Sequence, residues 1–329
     1  MREPFPSGAV ILSIDTEHIW GYSDQLSEAG FRRRFPAAID MQDVLLGRLI
    51  TAGLSATWFV VGGMAFRECE GSADPRLAVL PSSWTRRIPR ARESSAGLWY
   101  RPSFVRRLID SRPLQEIGLH GGVSHLVWTH PEVTRQIAKR ELVEGIRALE
   151  ELGVRPRTFS YPRTREAYHQ LLSMHGIRGY RGRVPSLAWQ VGGSWSGAVL
   201  RAFEEFRSAA PPVVHPRETL PGLWDVPASM FFYPIRPSRS ALVPARTRLK
   251  RFKKGVEAAI EARGVFQFSF HPENLAESPD ALPIFDDMLD CLLRACRQEG
   301  LDVLTLNDVI NRMERIHLCS TKTVTPAST

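Results

Sequence analysis

Residues 9–18 read AVILSIDTEH, an apolar run rich in β-branched residues that closes on two carboxylates, Asp15 and Glu17. Such a run, ending in a polar cluster, predicts a buried strand whose C-terminal end opens onto a site. A helical pattern follows in PAAIDMQDVLLGRLITAGL (36–54), with Gly53 as its C-terminal stop. SATWFVVGG (55–63) then reads as a second buried strand. Strand, helix, strand in this order predicts a parallel sheet with crossover helices.

The rhythm continues along the chain. PSFVRRLIDS (102–111) and PEVTRQIAKRELVEGIRALEELG (131–153) read as helices around the strand-like EIGLHGG (116–122). PRTFSYP (156–162), REAYHQLLSMHG (165–176) and IRGYRG (177–182) repeat strand, helix and strand. After a less regular middle (184–216), LWDVPAS, LKRFKKGVEAAIEARG, VFQFSFHP and IFDDMLDCLLRACRQEGLDVLTL complete the alternation. Residues 66–100, rich in Arg, Ser and Pro, break it and read as an insertion or lid over the strand ends. One α/β barrel-like domain over 1–316 is expected, with 317–329 as a frayed tail.

Composition excludes several classes. With 329 residues, 43% hydrophobic and 24% charged, the chain has the balance of a globular protein rather than a disordered or fibrous one. No apolar run approaches the roughly 18 residues that would predict a membrane span. Asp15 and Glu17 interrupt the N-terminal apolar stretch before a signal-peptide core forms, so a cytoplasmic protein is expected. Four cysteines (Cys69, Cys291, Cys296, Cys319) show no paired metal spacing and predict free thiols. The net charge of +8 is concentrated in SSWTRRIPRAR (82–92) and RTRLKRFKKG (246–255). It fits a phosphorylated substrate, an anionic surface, or simply solvated faces.

The polar residues that follow strands are the candidates for chemistry, because ligands of parallel α/β folds bind at those ends. Asp15 and Glu17 follow the first strand, His120 and His125 follow EIGL, Arg163 follows TFSYP, Asp225 sits in LWDVP, and His271 closes VFQFSF. Two imidazoles and one carboxylate suit a zinc-class ion that keeps an open position for water. A second carboxylate can take the proton of that water, and a histidine opposite can protonate a leaving amine. Each residue also has an ordinary reading: a helix cap for Asp15, a strand terminus for His271, a chance pair for His120 and His125.

Taken in order, these segments resemble the polysaccharide deacetylase family, the NodB-homology or carbohydrate esterase family 4 fold, over roughly Val10 to Met313. LSIDTEHIWG resembles its first motif, SATWFVVG its second strand, EIGLHGGVSH its histidine motif, FSYPRTREAYHQLLSMHGIRGYRG its arginine–proline motif and following helix, and FQFSFHPENL its last motif. The resemblance implies a single distorted (β/α) barrel. It implies Asp15 as base and Glu17, His120 and His125 as metal ligands, with the roles of Asp15 and Glu17 open to exchange or sharing, His271 as acid, Arg163 orienting or screening the base, and Asp225 tuning His271. Two departures stand out. HGGVSH places four residues between the histidines where the family has three, so Gly121 and Gly122 must bulge, or one ring is no ligand, or His130 takes part. Arg163 follows its proline instead of preceding it.

The expected function is therefore a Zn2+-dependent hydrolase that removes an N-acetyl or other acyl group from an amino sugar, small or carried on a nucleotide or lipid phosphate. Trp20, Trp84, Trp99 and Trp128 are candidates for stacking on a sugar, and Trp58 for the core. Nucleic acid is not expected as a partner, nor stable membrane insertion. Two other classes stay open: a metal-poor hydrolase of a cyclic amide, and a basic module binding nucleic acid or membrane surfaces without catalysis.

Overall fold

A computed structural model describes residues 3–78, 80–185, 205–233 and 244–322, with side chains to 317. Most of the irregular middle anticipated from the sequence lies outside these residues. Nine strands follow one another in a curled sheet. In chain order its members are β1 (Ala9–Thr16), β2 (Thr57–Val60), β5 (Glu116–His120), β6 (Thr158–Ser160), β7 (Gly179–Gly182), β8 (Arg217–Leu220), β9 (Leu223–Pro227), β10 (Met230–Phe231) and β11 (Val265–Phe270). They are ordered β10-β11-β1-β2-β5-β6-β7-β9-β8, and a short β12 (Asp302–Val303) pairs with the start of β1. Every pairing is parallel except β8 with β9. The α/β barrel-like expectation holds, as a curled and distorted (β/α) arrangement.

The central strands β1, β2 and β11 bury both faces, which is why they read as nearly continuous apolar runs. All eight residues of β1 and all six of β11 are buried. The helices Ala38–Ala52, Arg246–Ala262 and Ala281–Glu299 supply the outer layer. Gly53 ends the first of these in the left-handed conformation (φ 67°), as its sequence position predicts. Gln115 shows how a polar group enters the core with its partners. Gln115 Oε1 accepts from the peptide N–H of Ala56 at 2.9 Å and from Trp58 Nε1 at 3.1 Å.

The insertion holds an antiparallel pair, β3 (Glu68–Glu70) with β4 (Arg90–Arg92), and the buried Trp99 and Tyr100. Trp99 is a packing residue whose carbonyl accepts from Trp20 Nε1 at 2.7 Å, so neither indole is free to stack on a ligand. Trp128 is likewise buried, with Glu141 as its hydrogen-bond partner. The tail expected from His317 differs: a helix, Leu306–Lys322, occupies its first residues. Its start is set by Thr305, whose Oγ accepts from the N–H of Asp308 at 3.1 Å while Asp308 Oδ2 accepts from the N–H of Thr305 at 3.2 Å. That is a capping box, and with Leu306, Val309 and Ile310 buried it was readable in TLNDVINRM.

Three of the six cations in the basic run 246–255 are structural. Arg248 Nε donates to the Tyr233 carbonyl at 3.1 Å, Arg251 Nε to that of Ala209 at 3.1 Å, and Lys254 Nζ to that of Ser208 at 2.7 Å. Among the described residues, no helix is long and apolar enough to cross a membrane.

Candidate metal centre and its cavity

Side chains two residues apart on a strand share a face. Ser13, Asp15 and Glu17 therefore point the same way at the end of β1. On the neighbouring strand Ser269 pairs with Ser13, and His271 stands two residues beyond it just as Asp15 stands two beyond Ser13. From the other side, the register His120↔Ser160↔Arg181 carries a row of polar residues across β5, β6 and β7. These groups meet at one cavity of about 280 Å³.

Glu17 is at its centre. One carboxylate oxygen, Oε2, lies 2.8 Å from His120 Nε2 and 2.9 Å from His125 Nε2, while Oε1 lies 3.2 Å from His271 Nε2. The two imidazole rings are 4.8 Å apart between centroids. The longer HGGVSH spacing is absorbed by Gly121, which takes the left-handed conformation at φ 72°, and by Gly122, whose absent Cβ would fall 2.2 Å from the Glu141 carbonyl oxygen. Both histidines thus reach Glu17, and His130 does not: it packs on Trp84, at 5.6 Å between centroids.

The donor set fits a divalent cation. His120 Nδ1 is 3.0 Å from the Ser160 carbonyl, an acceptor only, so the ring proton sits on Nδ1. Nε2 then turns a lone pair toward the Glu17 carboxylate. A lone pair facing a carboxylate at 2.8 Å is satisfied by a cation between the two, either a second ring proton or a metal ion. Glu17, His120 and His125 offer one ligand atom each, all within 4.8 Å of one another and all buried. The Nδ1–H···O=C bond is also how metal-ligating imidazoles are held in orientation.

Asp15 is held differently. Arg181 Nη2 donates to its Oδ2 at 2.6 Å, and the same guanidinium bonds Ser13 Oγ and Ser160 Oγ, each at 2.8 Å. Burial would raise the Asp15 carboxyl, but Arg181, His120 and His271 outweigh it and hold it below the ordinary range. Burial would also raise Glu17, and His125, His271 and His120 hold it well below its range. Burial opposes the charge on His271, yet Glu17 and Asp15 push it up to about 9. The Asp15 Oδ1 atom is buried without a hydrogen-bond partner, and Asp15 is among the residues that line the cavity.

The two arginine and aspartate assignments made from the family pattern are corrected. Arg163 bonds Asp24, not Asp15, and stands at the cavity rim. Asp225 accepts from Arg217 Nε at 2.9 Å on the β8–β9 side and does not line the cavity that holds His271. Arg181, which makes the contact with Asp15, was not singled out by the sequence. Its signal was a charged residue inside the strand pattern IRGYRG, where an unpaired charge would be intolerable.

Two buried carboxylates brace the site from behind. His18, at φ 45°, and Glu273 form a fully buried pair at 2.8 Å that ties the residue after Glu17 to the helix after His271. Glu141, in the helix Arg135–Glu150, accepts from the Ser124 N–H at 2.9 Å, Ser124 Oγ at 3.1 Å and Trp128 Nε1 at 3.1 Å. It anchors the turn that carries both imidazoles. Tyr161 and Phe231 complete the wall, with Phe231 edge-on to His271 at 5.3 Å.

No protein-family model and no curated protein matches the sequence. Solved structures do match the fold. A protein assigned as a polysaccharide deacetylase from Mycobacterium smegmatis superposes with a TM-score of 0.60 at 17% identity, covering 99% of this chain and 94% of that one. One so assigned from Pseudomonas aeruginosa PAO1 gives 0.58 at 11% identity, covering 96% and 95%. Puue allantoinase gives 0.54 at 11% identity, also covering 96% and 95%. The chain shares the polysaccharide deacetylase fold over essentially its whole length.

Proposed function

We propose that this protein is a metal-dependent hydrolase that removes an acetyl or other acyl group from the nitrogen of an amino sugar. The observation that carries the reading is the buried Glu17–His120–His125 cluster, set in one cavity with an ionised Asp15 and with His271. Glu17, His120 and His125 would hold a divalent ion, of which Zn2+ is the best match to two imidazoles and a carboxylate. When bound, the ion supplies Lewis acidity to the amide carbonyl and lowers the pKa of water.

The chain's own residues do the rest. Arg181 fixes one oxygen of Asp15, leaving Oδ1 to accept the proton of the attacking water. His271, 3.8 Å from Asp15 Oδ2 on the adjacent strand, donates to the departing amine, which leaves poorly unless protonated. Tyr161 and Phe231 exclude water from one side. A cavity of about 280 Å³ suits one sugar ring better than a polymer. The substrate is accordingly a single acylated amino sugar, free or carried on a nucleotide or lipid phosphate. A cytoplasmic setting agrees with the free thiols of Cys69, Cys291 and Cys296.

A fold shared with an allantoinase does not by itself choose between sugars and cyclic amides. The metal cluster favours the former. The test combines metal analysis with mass-spectrometric screening of acetamido sugars and cyclic ureides. Expected are one divalent ion per chain and loss of an acetyl unit from a sugar. Turnover of cyclic amides that survives chelators would overturn the reading. Within it, Asp15→Asn should keep the metal and lose at least about 10²-fold in turnover. His120→Ala should lose the metal itself.

A further inference from the structure

The geometry points to a phosphate-binding shelf beside the reaction cavity, built by Arg86, Arg165 and Arg163, which selects amino sugars carrying a phosphoester or pyrophosphate. This rests on the deacylase reading for its substrate, but the shelf itself is independent of it.

A second cavity, about 570 Å³, adjoins the reaction cavity and shares Arg163 with it. Two short segments form the ridge between them. Tyr22 and Gln25 line the reaction cavity, whereas Ser23 and Asp24 line the shelf. Across from them, Thr164 lines the reaction cavity and Arg165 the shelf. Arg163 and Thr164 both take the left-handed conformation, at φ 53°, which is strained for residues with a Cβ. A ligand seated over the ridge would place its sugar against Asp15 and His271 and its next group on the shelf.

The charge on the shelf decides what that group is. Four guanidiniums, from Arg86, Arg87, Arg163 and Arg165, face two carboxylates, Asp24 and Glu132. Asp24 is taken by Arg163 at 2.6 Å, and Arg87 is engaged by the Ser23 carbonyl at 2.6 Å. Glu132 accepts from Ser83 Oγ at 2.9 Å. Among the described residues Arg86 and Arg165 have no carboxylate partner. Two unpaired guanidiniums with forked donors match the oxygens of a phosphate better than any neutral group. The comparison with the other basic run sharpens this. Arg248, Arg251 and Lys254 of that run are spent on backbone carbonyls, whereas Arg86 and Arg165 on the shelf remain open to ligand.

The experiment measures two things on the metal-loaded full chain. The first is kcat/KM for an N-acetylated hexosamine and for three derivatives: its 1-phosphate, its nucleoside-diphosphate conjugate and its short-chain polyprenyl pyrophosphate. At least one derivative should exceed the free sugar about tenfold or more, and the one that does so most identifies the source of the phosphate. In the double variant Arg86→Ser/Arg165→Ser that ratio should fall to within about twofold of one. A ratio near one in the parent, or a ratio that survives in the variant, overturns the shelf. The second is calorimetric binding of inorganic pyrophosphate. It should weaken about tenfold or more in the same variant, which separates the shelf from the metal centre. Pyrophosphate binding that the variant does not weaken overturns the proposal whatever the activity. Normal shelf binding without hydrolysis of any amino sugar would sink the deacylase reading instead.

Discussion

Two aspartate–arginine pairs in this molecule close at the same distance, 2.6 Å, and are physically unalike. In Arg181–Asp15 the side chains are 4% and 5% exposed; in Arg163–Asp24 they are 36% and 29% exposed. Water screens the second pair and competes for its hydrogen bonds, so a pair of this kind is worth about 0–1 kcal/mol. The first has no water to fall back on. Removing one partner there leaves a buried charge, at a cost of about 3–5 kcal/mol. Distance alone cannot say which arginine serves a site; burial can.

The strongest way to break this comparison is Arg181→Met. It should lower stability by about 3–5 kcal/mol in denaturant unfolding, and turnover should fall with it, because Asp15 loses the charge that keeps it ionised. Adding Asp15→Asn should restore much of the stability and none of the activity. A loss under about 1 kcal/mol in the single variant would place the buried pair in the same class as the rim pair.

That this arginine escaped the sequence while its partners did not has a physical reason. Asp15, Glu17, His120, His125 and His271 all lie at or just past strand ends, where chain order and apolar runs announce them. Arg181 lies inside a strand, and its relation to Asp15 depends on how β7 is registered against β6 and β5. Register is fixed by long-range packing, which one strand's pattern does not contain. Asp225 is the opposite case, since its place in the strand pattern LWDVP was legible but its partner, Arg217 on the antiparallel β8, was not. The same limit applies to the histidine spacing. HGGVSH became intelligible only once Glu141, sixteen residues beyond His125, was seen to hold the turn.

Glu141 offers an intermediate case, a buried carboxylate with hydrogen bonds and no cation. Burial pushes it up to about 7, although Ser124 and Trp128 pull the other way. Its folded-state value lies above the ordinary 4.5, so the native state binds the extra proton. The associated stability is full below about pH 4.5 and is lost as pH rises through 7. Glu141→Gln removes this titration. Relative to the parent, the variant should gain up to roughly 3 kcal/mol between pH 4.5 and 7.5, on top of a constant loss of about 1 kcal/mol from the Trp128 hydrogen bond. Parallel stability curves for the two proteins across that interval would mean that Glu141 stays ionised, and that some cation compensates it.

The smallest effect belongs to the rim. Arg163→Ala removes a bifurcated contact, since one nitrogen bonds both oxygens of Asp24 at 2.6 Å, yet both groups remain solvated when separated. The expected loss of stability is under about 1 kcal/mol and should shrink further at high salt. Metal content should not change, because Arg163 touches neither Glu17 nor its histidines. The left-handed backbone at residue 163 sets a floor on how informative the substitution is: alanine at φ 53° is strained as arginine is, so the strain cancels in the difference. What is left is the ion pair alone. A loss as large as that of Arg181→Met would mean that the ridge between the two cavities is held by Asp24 and Arg163, and that exposure had misjudged it.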